Sequence, residues 1–288
     1  VPELPEVETI RRQLRPRLRG RQITEAWAFP SPKFDQAVRA VGDTFGEVER
    51  RGKYLLCRLT PGTIAPHDRA EPPTSDGPPS RELVVHLGMT GRLVVRPGGL
   101  GDGPDSPHRR AAWSLDDGTT LEFIDVRRFG RIAVVPVGRY GDLPTLAALG
   151  PEPFGEDFDP EALRRVVNAS RRALKTQLLS QRPVAGLGNI YADEALWRAG
   201  VHPRARRLTR AQAGRLRDAI RDVLDAGIAD GGTTLRDYRD ARGDAGGHQA
   251  RLECYGRAGL PCRRCGATLR RTVVDARTTT FCPTCQRR

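Results

Sequence analysis

Cys262-Arg263-Arg264-Cys265, sixteen intervening residues, then Cys282-Pro283-Thr284-Cys285: these two Cys-x2-Cys knuckles set the architecture of the last forty residues. At this separation they can offer four thiolates to one tetrahedral Zn2+. All four positions are filled by sulfur and none is left open, so a single structural Zn2+ is expected. Metal binding contributes about 10–16 kcal/mol to a segment too short to fold alone. From 250 to 288 there are nine arginines against two acids, Glu253 and Asp275. A zinc-stapled hairpin with that charge suits phosphate contacts; the alternative is a solvated charged finger that binds no DNA. Arg277, in the turn Ala-Arg-Thr-Thr-Thr before Cys282, is expected at the hairpin tip. Cys57 and Cys254 lack such spacing and read as small buried hydrophobes.

Upstream of the finger the pattern is helical. Asp159-Pro160 is an N-cap followed by proline at the first helical position. Gly200 fits a helix stop after Tyr191–Ala199, and Thr209 with Gln212 makes a capping box. The helix it opens carries an apolar stripe of Leu216, Ile220, Val223 and Leu224. Further upstream, residues 3 to 16 read as a helix with a polar face. Between 22 and 136 short β-rich runs recur: Gln22–Ala28, Lys53–Leu59, Glu82–His86, Arg92–Val95, Thr120–Asp125 and Arg131–Val135. Their length and turn spacing predict an antiparallel sandwich or barrel. Thr60–Arg81 and Pro97–His108, rich in Pro, Gly, Ser and Asp, read as exposed, mobile insertions.

The 288 residues suit two domains plus an appendage. A net charge of +13 without long apolar runs points to a polyanion rather than a membrane. Of 48 basic residues only Lys33, Lys53 and Lys175 are lysine. Coding bias explains the excess of arginine, but Arg and Lys are not interchangeable where a compact, titratable ammonium is needed. The survivors are therefore candidates for specific work. Paired cysteines, and no visible secretory signal or transmembrane run, lead us to expect a reducing compartment, the cytoplasm, which in a bacterium includes the nucleoid.

Six motifs, in order, carry a resemblance. Val1-Pro2-Glu3-Leu4-Pro5-Glu6-Val7-Glu8-Thr9 resembles the start of the bacterial formamidopyrimidine-DNA glycosylase (Fpg) family, within the wider Fpg/Nei group. The match continues in His86-Leu87-Gly88-Met89-Thr90-Gly91, Asp125-Val126-Arg127-Arg128-Phe129-Gly130 and Gly186-Leu187-Gly188-Asn189-Ile190-Tyr191. It closes with Gly231-Gly232-Thr233-Thr234-Leu235 and the finger. The resemblance implies a two-lobed α+β fold. An antiparallel β-sandwich with a leading helix would form a catalytic domain over 1–136, followed by a linker over 137–157. A helix–two-turn–helix domain would span 158–249 and a four-cysteine zinc finger 250–288, with DNA in the cleft between lobes. It also implies a monomer acting on double-stranded DNA that contains oxidised bases or abasic sites. Oxidised purines, chiefly 8-oxoguanine and formamidopyrimidines, would be removed before β,δ-elimination breaks the strand.

Residue by residue, the resemblance makes the Pro2 amine the nucleophile and Glu3 the proton-shuttling carboxylate. An α-amino group titrates near roughly 7.7–8.0, so a neutral fraction exists at physiological pH. Its iminium with the sugar C1′ acts as an electron sink. Glu6 resembles a residue of the lesion pocket. Met89 resembles a wedge filling the gap left by a flipped nucleotide, with Arg127 pairing to the orphaned base and Phe129 unstacking its neighbours. Lys53, His86, Lys175, Asn189 and Arg277 resemble phosphate clamps, and Lys53 and Arg277 are also counted with the catalytic set. The stretch Asp237–His248 lies where the family has its lesion-capping loop.

Val1 precedes Pro2, and a residue there makes the proline nitrogen a tertiary amide. A non-ATG start codon translated literally accounts for it, and removal before proline is expected. Two other readings remain open: an endonuclease VIII-type enzyme for oxidised pyrimidines, and a non-catalytic zinc-finger DNA-binding protein. Leu4-Pro5-Glu6 and the long capping segment weigh against the first, and the joint presence of Pro2 and Glu3 against the second.

Overall fold

The computed structural model describes residues 2–62, 80–101 and 106–287. Val1 lies outside them, as do 63–79 and 102–105, the centres of the two expected insertions. By contact the chain forms two compact units. Of the described residues, one holds Pro2 and those of 6–144 and 234–246; the other holds those of 3–5, 145–233 and 247–287. Residues 3–5 and 234–246 therefore pack away from the unit of their sequence neighbours.

The first unit is a β-sandwich with a leading helix, α1 (Leu4–Leu18). Its strands are β1 (Ile23–Ala28), β2 (Asp43–Arg51), β3 (Tyr54–Pro61), β4 (Arg81–His86), β5 (Arg92–Pro97), β6 (Arg109–Leu115), β7 (Thr119–Ile124) and β8 (Arg131–Pro136). They form two antiparallel sheets, ordered β1-β6-β7-β5 and β2-β3-β4-β8. Alternation decides the inward faces: Leu55, Cys57 and Leu59 on β3, Leu83 and Val85 on β4, Ala111, Trp113 and Leu115 on β6. Val7, Ile10, Leu14 and Leu18 of α1, at helical spacing, join the same core. The free edge of β8 is covered, because Ile132 N–H donates to the Lys33 carbonyl (2.8 Å) and Val134 N–H to Gln36 Oε1 (3.1 Å).

Six of these strands match the expected runs; β2 and β6 were not anticipated. On β2 a register shift between Phe45 and Val48 breaks the alternation, and charged residues fill the remainder. β6 follows directly on a Pro/Gly-rich stretch that masks its start.

The second unit contains α2 (Pro144–Ala147), α3 (Pro160–Asn168), α4 (Leu174–Leu179), α5 (Asn189–Ala199), α6 (Arg210–Ala229) and a hairpin of β9 (Arg270–Val274) and β10 (Arg277–Phe281). The expected caps are present. Asp159 Oδ1 accepts from Glu161 N (2.8 Å) and Ala162 N (2.9 Å), Thr209 and Gln212 close a capping box, and Gly200 ends α5 at φ 68. α4, six residues long, is too short for periodicity to reveal. Nine residues of α5 are buried, and Leu4 packs in the core of this unit with Leu187, Tyr191 and Leu224. Among the described residues no helix is long and apolar enough to cross a membrane.

Candidate active site and zinc centre

In the first unit the motif residues gather at the ends of β4 and β7. Asp125, fully buried, accepts from Gly130 N (2.7 Å) and from the Thr90 hydroxyl (2.6 Å). That hydroxyl oxygen in turn accepts from Arg127 N (3.1 Å). Gly88 (φ +65) lies against the backbone of Phe129 and Gly130 so closely that a Cβ there would overlap both. The His86–Gly91 and Asp125–Gly130 motifs are thus one device. It presents Arg127 and Phe129 outward: Phe129 is 50% exposed, with the Arg127 guanidinium 4.7 Å from its ring centroid. Met89, in the first of these two motifs, is half-buried.

His86 stacks on Tyr54 (4.6 Å) and its Nδ1 accepts from Gly88 N (3.2 Å). Burial first, and the Lys53 ammonium second, push its pKa down to about 4. At neutral pH it is an uncharged imidazole with its proton on Nε2. Lys53 occupies the turn between β2 and β3, and Pro2 and Glu6 are both buried. The Tyr238 hydroxyl donates to the Glu6 carbonyl (3.4 Å). Tyr238 and Ala241 belong to this unit's core, so part of the Asp237–His248 stretch is packed rather than loose. Gln13 fastens it, donating to Asp240 Oδ2 (2.6 Å) and accepting from Ala241 N (2.9 Å).

In the second unit Glu3 is 2% exposed. Its carboxylate accepts from Gly188 N (2.5 Å), Ile190 N (2.9 Å) and Tyr191 N (3.4 Å), the first turn of α5. Those donors are among the amides a helix leaves unpaired, and the helix dipole favours an anion there. A Cβ on Gly188 would overlap the Glu3 carboxylate. Asn189 Nδ2 donates to the Thr278 carbonyl (3.1 Å).

Lys175 has a different place from the one expected of a phosphate clamp. It is fully buried, and its ammonium donates to Asp193 Oδ1 (2.5 Å), Thr279 Oγ1 (2.9 Å) and the Thr278 carbonyl (3.3 Å). An ammonium has three protons, and these partners take all of them. Burial lowers the Lys175 pKa, against the pull of Asp193, and raises Asp193 to about 6. Arg277 is exposed but opens β10 rather than forming the tip, paired with Val274; the tip is Asp275–Ala276, at φ 52 and 57. Arg172, Thr176, Ser180 and Arg277 help line a polar cavity of about 240 Å3.

The four Sγ atoms of Cys262, Cys265, Cys282 and Cys285 lie within 4.8 Å of one another. A tetrahedron with Zn–S near 2.3 Å requires sulfurs about 3.8 Å apart, so small adjustments suffice. Burial, then hydrogen bonds with the sulfurs of Cys265 and Cys282, push the Cys285 thiol up to about 12, and a bound dication favours the thiolate instead. The Trp197 indole donates to Cys262 Sγ (3.3 Å). Glu194 anchors the approach to the finger by accepting from Glu253 N (2.9 Å), Cys254 N (2.8 Å) and Tyr255 N (2.7 Å). Sequence reasoning missed Glu194, Asp125 and Gln13, because polar residue type does not distinguish a buried anchor from a solvated surface group.

Residues 1–132 match the formamidopyrimidine-DNA glycosylase N-terminal domain, 149–239 its H2TH domain, and 259–288 the zinc finger found in FPG and IleRS. The chain belongs to the formamidopyrimidine-DNA glycosylase family. It is 44% identical to the enzyme of that name from Deinococcus radiodurans, over 99% of this chain and 97% of the relative. The crystal structure of MutM (Fpg) from Thermus thermophilus superposes with a TM-score of 0.84 at 44% identity, covering 99% of this chain and 98% of the other. A complex of wild-type Lactococcus lactis Fpg with N7-benzyl-Fapy-dG DNA gives 0.84 at 34% identity, covering 100% of both chains. One of Lactococcus lactis Fpg with abasic-site DNA gives 0.82 at 33%, covering 99% of this chain and 100% of the other. This chain is therefore a DNA repair glycosylase of the Fpg/Nei family, and its four cysteines hold one structural Zn2+.

Proposed function

We propose that this enzyme is a bifunctional glycosylase/AP lyase that removes oxidised purines from duplex DNA through a Schiff base on Pro2. β,δ-Elimination then follows. The observation that carries the proposal is Glu3, a buried carboxylate fixed by three backbone amides and adjacent in the chain to Pro2. Such rigidity serves a proton relay, because proton transfer depends on geometry first. The relatives' names, and their complexes with Fapy-dG and abasic DNA, support the substrate class.

In the proposed sequence the Pro2 amine attacks C1′, an N–C1′ bond forms and the glycosidic bond breaks. The base departs as an anion and takes a proton from solvent. Glu3 relays the amine proton to O4′ as the sugar ring opens, which leaves a C1′ iminium. Loss of a C2′ proton expels the 3′ phosphate, and loss of a C4′ proton expels the 5′ phosphate, with Lys53 and Arg277 assisting elimination. Neutral His86 contributes an Nε2–H donor to a phosphate, and Asn189 a second. Glu6 faces the lesion, Met89 fills the vacated space, Arg127 pairs with the orphaned base and Phe129 unstacks its neighbours. Lys175 acts indirectly, by holding Thr278 and Thr279 in place. The zinc finger presents Arg277. We assign catalysis to 1–136 and DNA binding to 158–249 and 250–288, with 137–157 as linker.

The test is reduction with borohydride in the presence of a duplex bearing 8-oxoguanine opposite cytosine. A covalent adduct that maps to Pro2 is expected. DNA binding without an adduct, once N-terminal sequencing shows Pro2 to be free, overturns the proposal. So does an active enzyme whose Pro2 nitrogen remains acylated.

A further inference from the structure

Lys53 and Lys175 have roles in the proposed chemistry or its support; Lys33 has none. It lies between β1 and the 3-10 turn Asp35–Ala40, and its ammonium donates to the Arg128 carbonyl (2.9 Å). The same nitrogen stands 5.9 Å from the centroid of the Phe129 ring. Its own carbonyl accepts from Ile132 N (2.8 Å), which ties its backbone to β8 just past the loop it touches.

Arg128 is the residue in that loop that needs holding. It sits at φ 57, a left-handed conformation that residues with a Cβ rarely adopt unaided. Side chains pin the loop backbone at four points. Arg110 Nε donates to the Asp125 carbonyl (2.9 Å), Thr90 accepts from Arg127 N (3.1 Å), Asp125 accepts from Gly130 N (2.7 Å), and Lys33 donates to Arg128 O (2.9 Å). Of these four, the Lys33 bond is the one that acts on the left-handed residue itself, between the two side chains that project outward. Phe29, four residues before Lys33, adds a floor with the guanidinium groups of Arg110 (5.0 Å) and Arg128 (5.9 Å) over its ring.

We propose that Lys33 is a positioning residue that fixes the Arg127–Phe129 projection and so sets discrimination among bases opposite the lesion. This rests on the proposed roles of Arg127 and Phe129. A compact ammonium suits such a role, because it directs a charge-assisted hydrogen bond at one carbonyl without the planar fork of a guanidinium. The step controlled is recognition of the opposite strand, not the chemistry at Pro2.

The test compares kcat/KM on 8-oxoguanine duplexes with cytosine or adenine opposite, for the full-length enzyme and for Lys33→Met and Arg127→Ala. Lys33→Met should move the ratio toward unity by about three- to tenfold, the range of one ordinary hydrogen bond, because the Lys33 ammonium is exposed to solvent. Borohydride trapping on single-stranded abasic DNA, which offers no opposite base, should stay at the wild-type rate. Lys33→Arg, which keeps a charged donor, should recover part of the ratio. If Arg127→Ala collapses the ratio and Lys33→Met leaves it intact, the inference is overturned while the reading of Arg127 stands. A ratio unmoved by Arg127→Ala overturns both. If Lys33→Met instead lowers the log K against log [salt] slope for undamaged duplex by about 0.9, Lys33 is a phosphate contact and the inference is overturned.

Discussion

Lys175→Met removes one member of a fully enclosed ion pair and leaves Asp193 with the Thr280 amide as its remaining hydrogen-bond donor from this pairing (2.9 Å). Breaking a buried pair from one side costs about 3–5 kcal/mol. Asp193 can avoid a bare buried charge by taking up a proton. Relative to an ordinary value of 3.8, that uptake at pH 7 costs about 4 kcal/mol, so neither route escapes the penalty. The pH dependence separates them. A carboxyl whose folded pKa is raised binds more protons folded than unfolded, so the variant should regain stability as pH falls from 7 toward 5. The gain should be about 2–3 kcal/mol. The double variant Lys175→Met/Asp193→Asn keeps an acceptor for Thr280 N–H and removes both charges; it should recover most of the loss. Urea unfolding read through Trp197, whose indole bonds Cys262 Sγ, measures all three proteins. DNA binding by the double variant provides the contrast. With Lys175 occupied internally, the slope of log K against log [salt] should match the wild type. A slope shallower by about 0.9, with stability unchanged, means that Lys175 grips a phosphate, and refutes the burial argument.

Glu3→Gln keeps the shape but sets an amide against three backbone donors; excision should fall by about 10²–10⁴ in single-turnover assays, and wild-type rates would remove Glu3 from the mechanism. Because the folded pKa of His86 is depressed from 6.5 to about 4, its contribution is present above 6.5 and is lost as pH falls through that window, by up to about 3 kcal/mol. His86→Gln should flatten this part of the pH–stability curve in urea titrations. Chelating the zinc withdraws about 10–16 kcal/mol from the Cys262–Cys285 segment, so DNA affinity should collapse and return with added Zn2+. Binding that persists after verified metal loss argues against a DNA contact by the finger.

The sequence made these features legible unevenly, for physical reasons. The finger was readable because four sulfurs at fixed spacing can do little else. The caps at Asp159 and Thr209 were readable because they are local, each satisfied within three residues. Six strands showed by β-rich composition and turn spacing, whereas the bulge and the charged residues of β2 removed that signal. The hairpin tip falls just before Arg277, because Asp275 and Ala276 adopt left-handed backbone without a glycine to announce it. The lysines divide in the same way. Scarcity singled out Lys175 and Lys33, but no local pattern reveals that one ammonium meets Asp193 from 18 residues away and the other a carbonyl from 95. Contacts of that range depend on the completed fold.

The fate of the acids explains how a chain at +13 comes to turn most of its arginines toward solvent. Among the described residues ten acids are buried: Glu3, Glu6, Glu8, Asp43, Glu82, Glu122, Asp125, Asp193, Glu194 and Asp240. Among the described residues only two arginines or lysines, Arg110 and Lys175, are buried with them. Several of these acids serve as internal anchors: Glu3 on α5, Asp125 on its loop and Glu194 on the segment before the finger, each taking backbone N–H groups. A carboxylate is suited to that work because it accepts several hydrogen bonds at once, whereas a guanidinium can only donate. Folding therefore moves negative charge inward and leaves arginine facing solvent, where a polyanion arrives. Neutralising a surface arginine should lower the salt dependence of DNA binding, while neutralising a buried anchoring acid should cost stability and leave that slope unchanged.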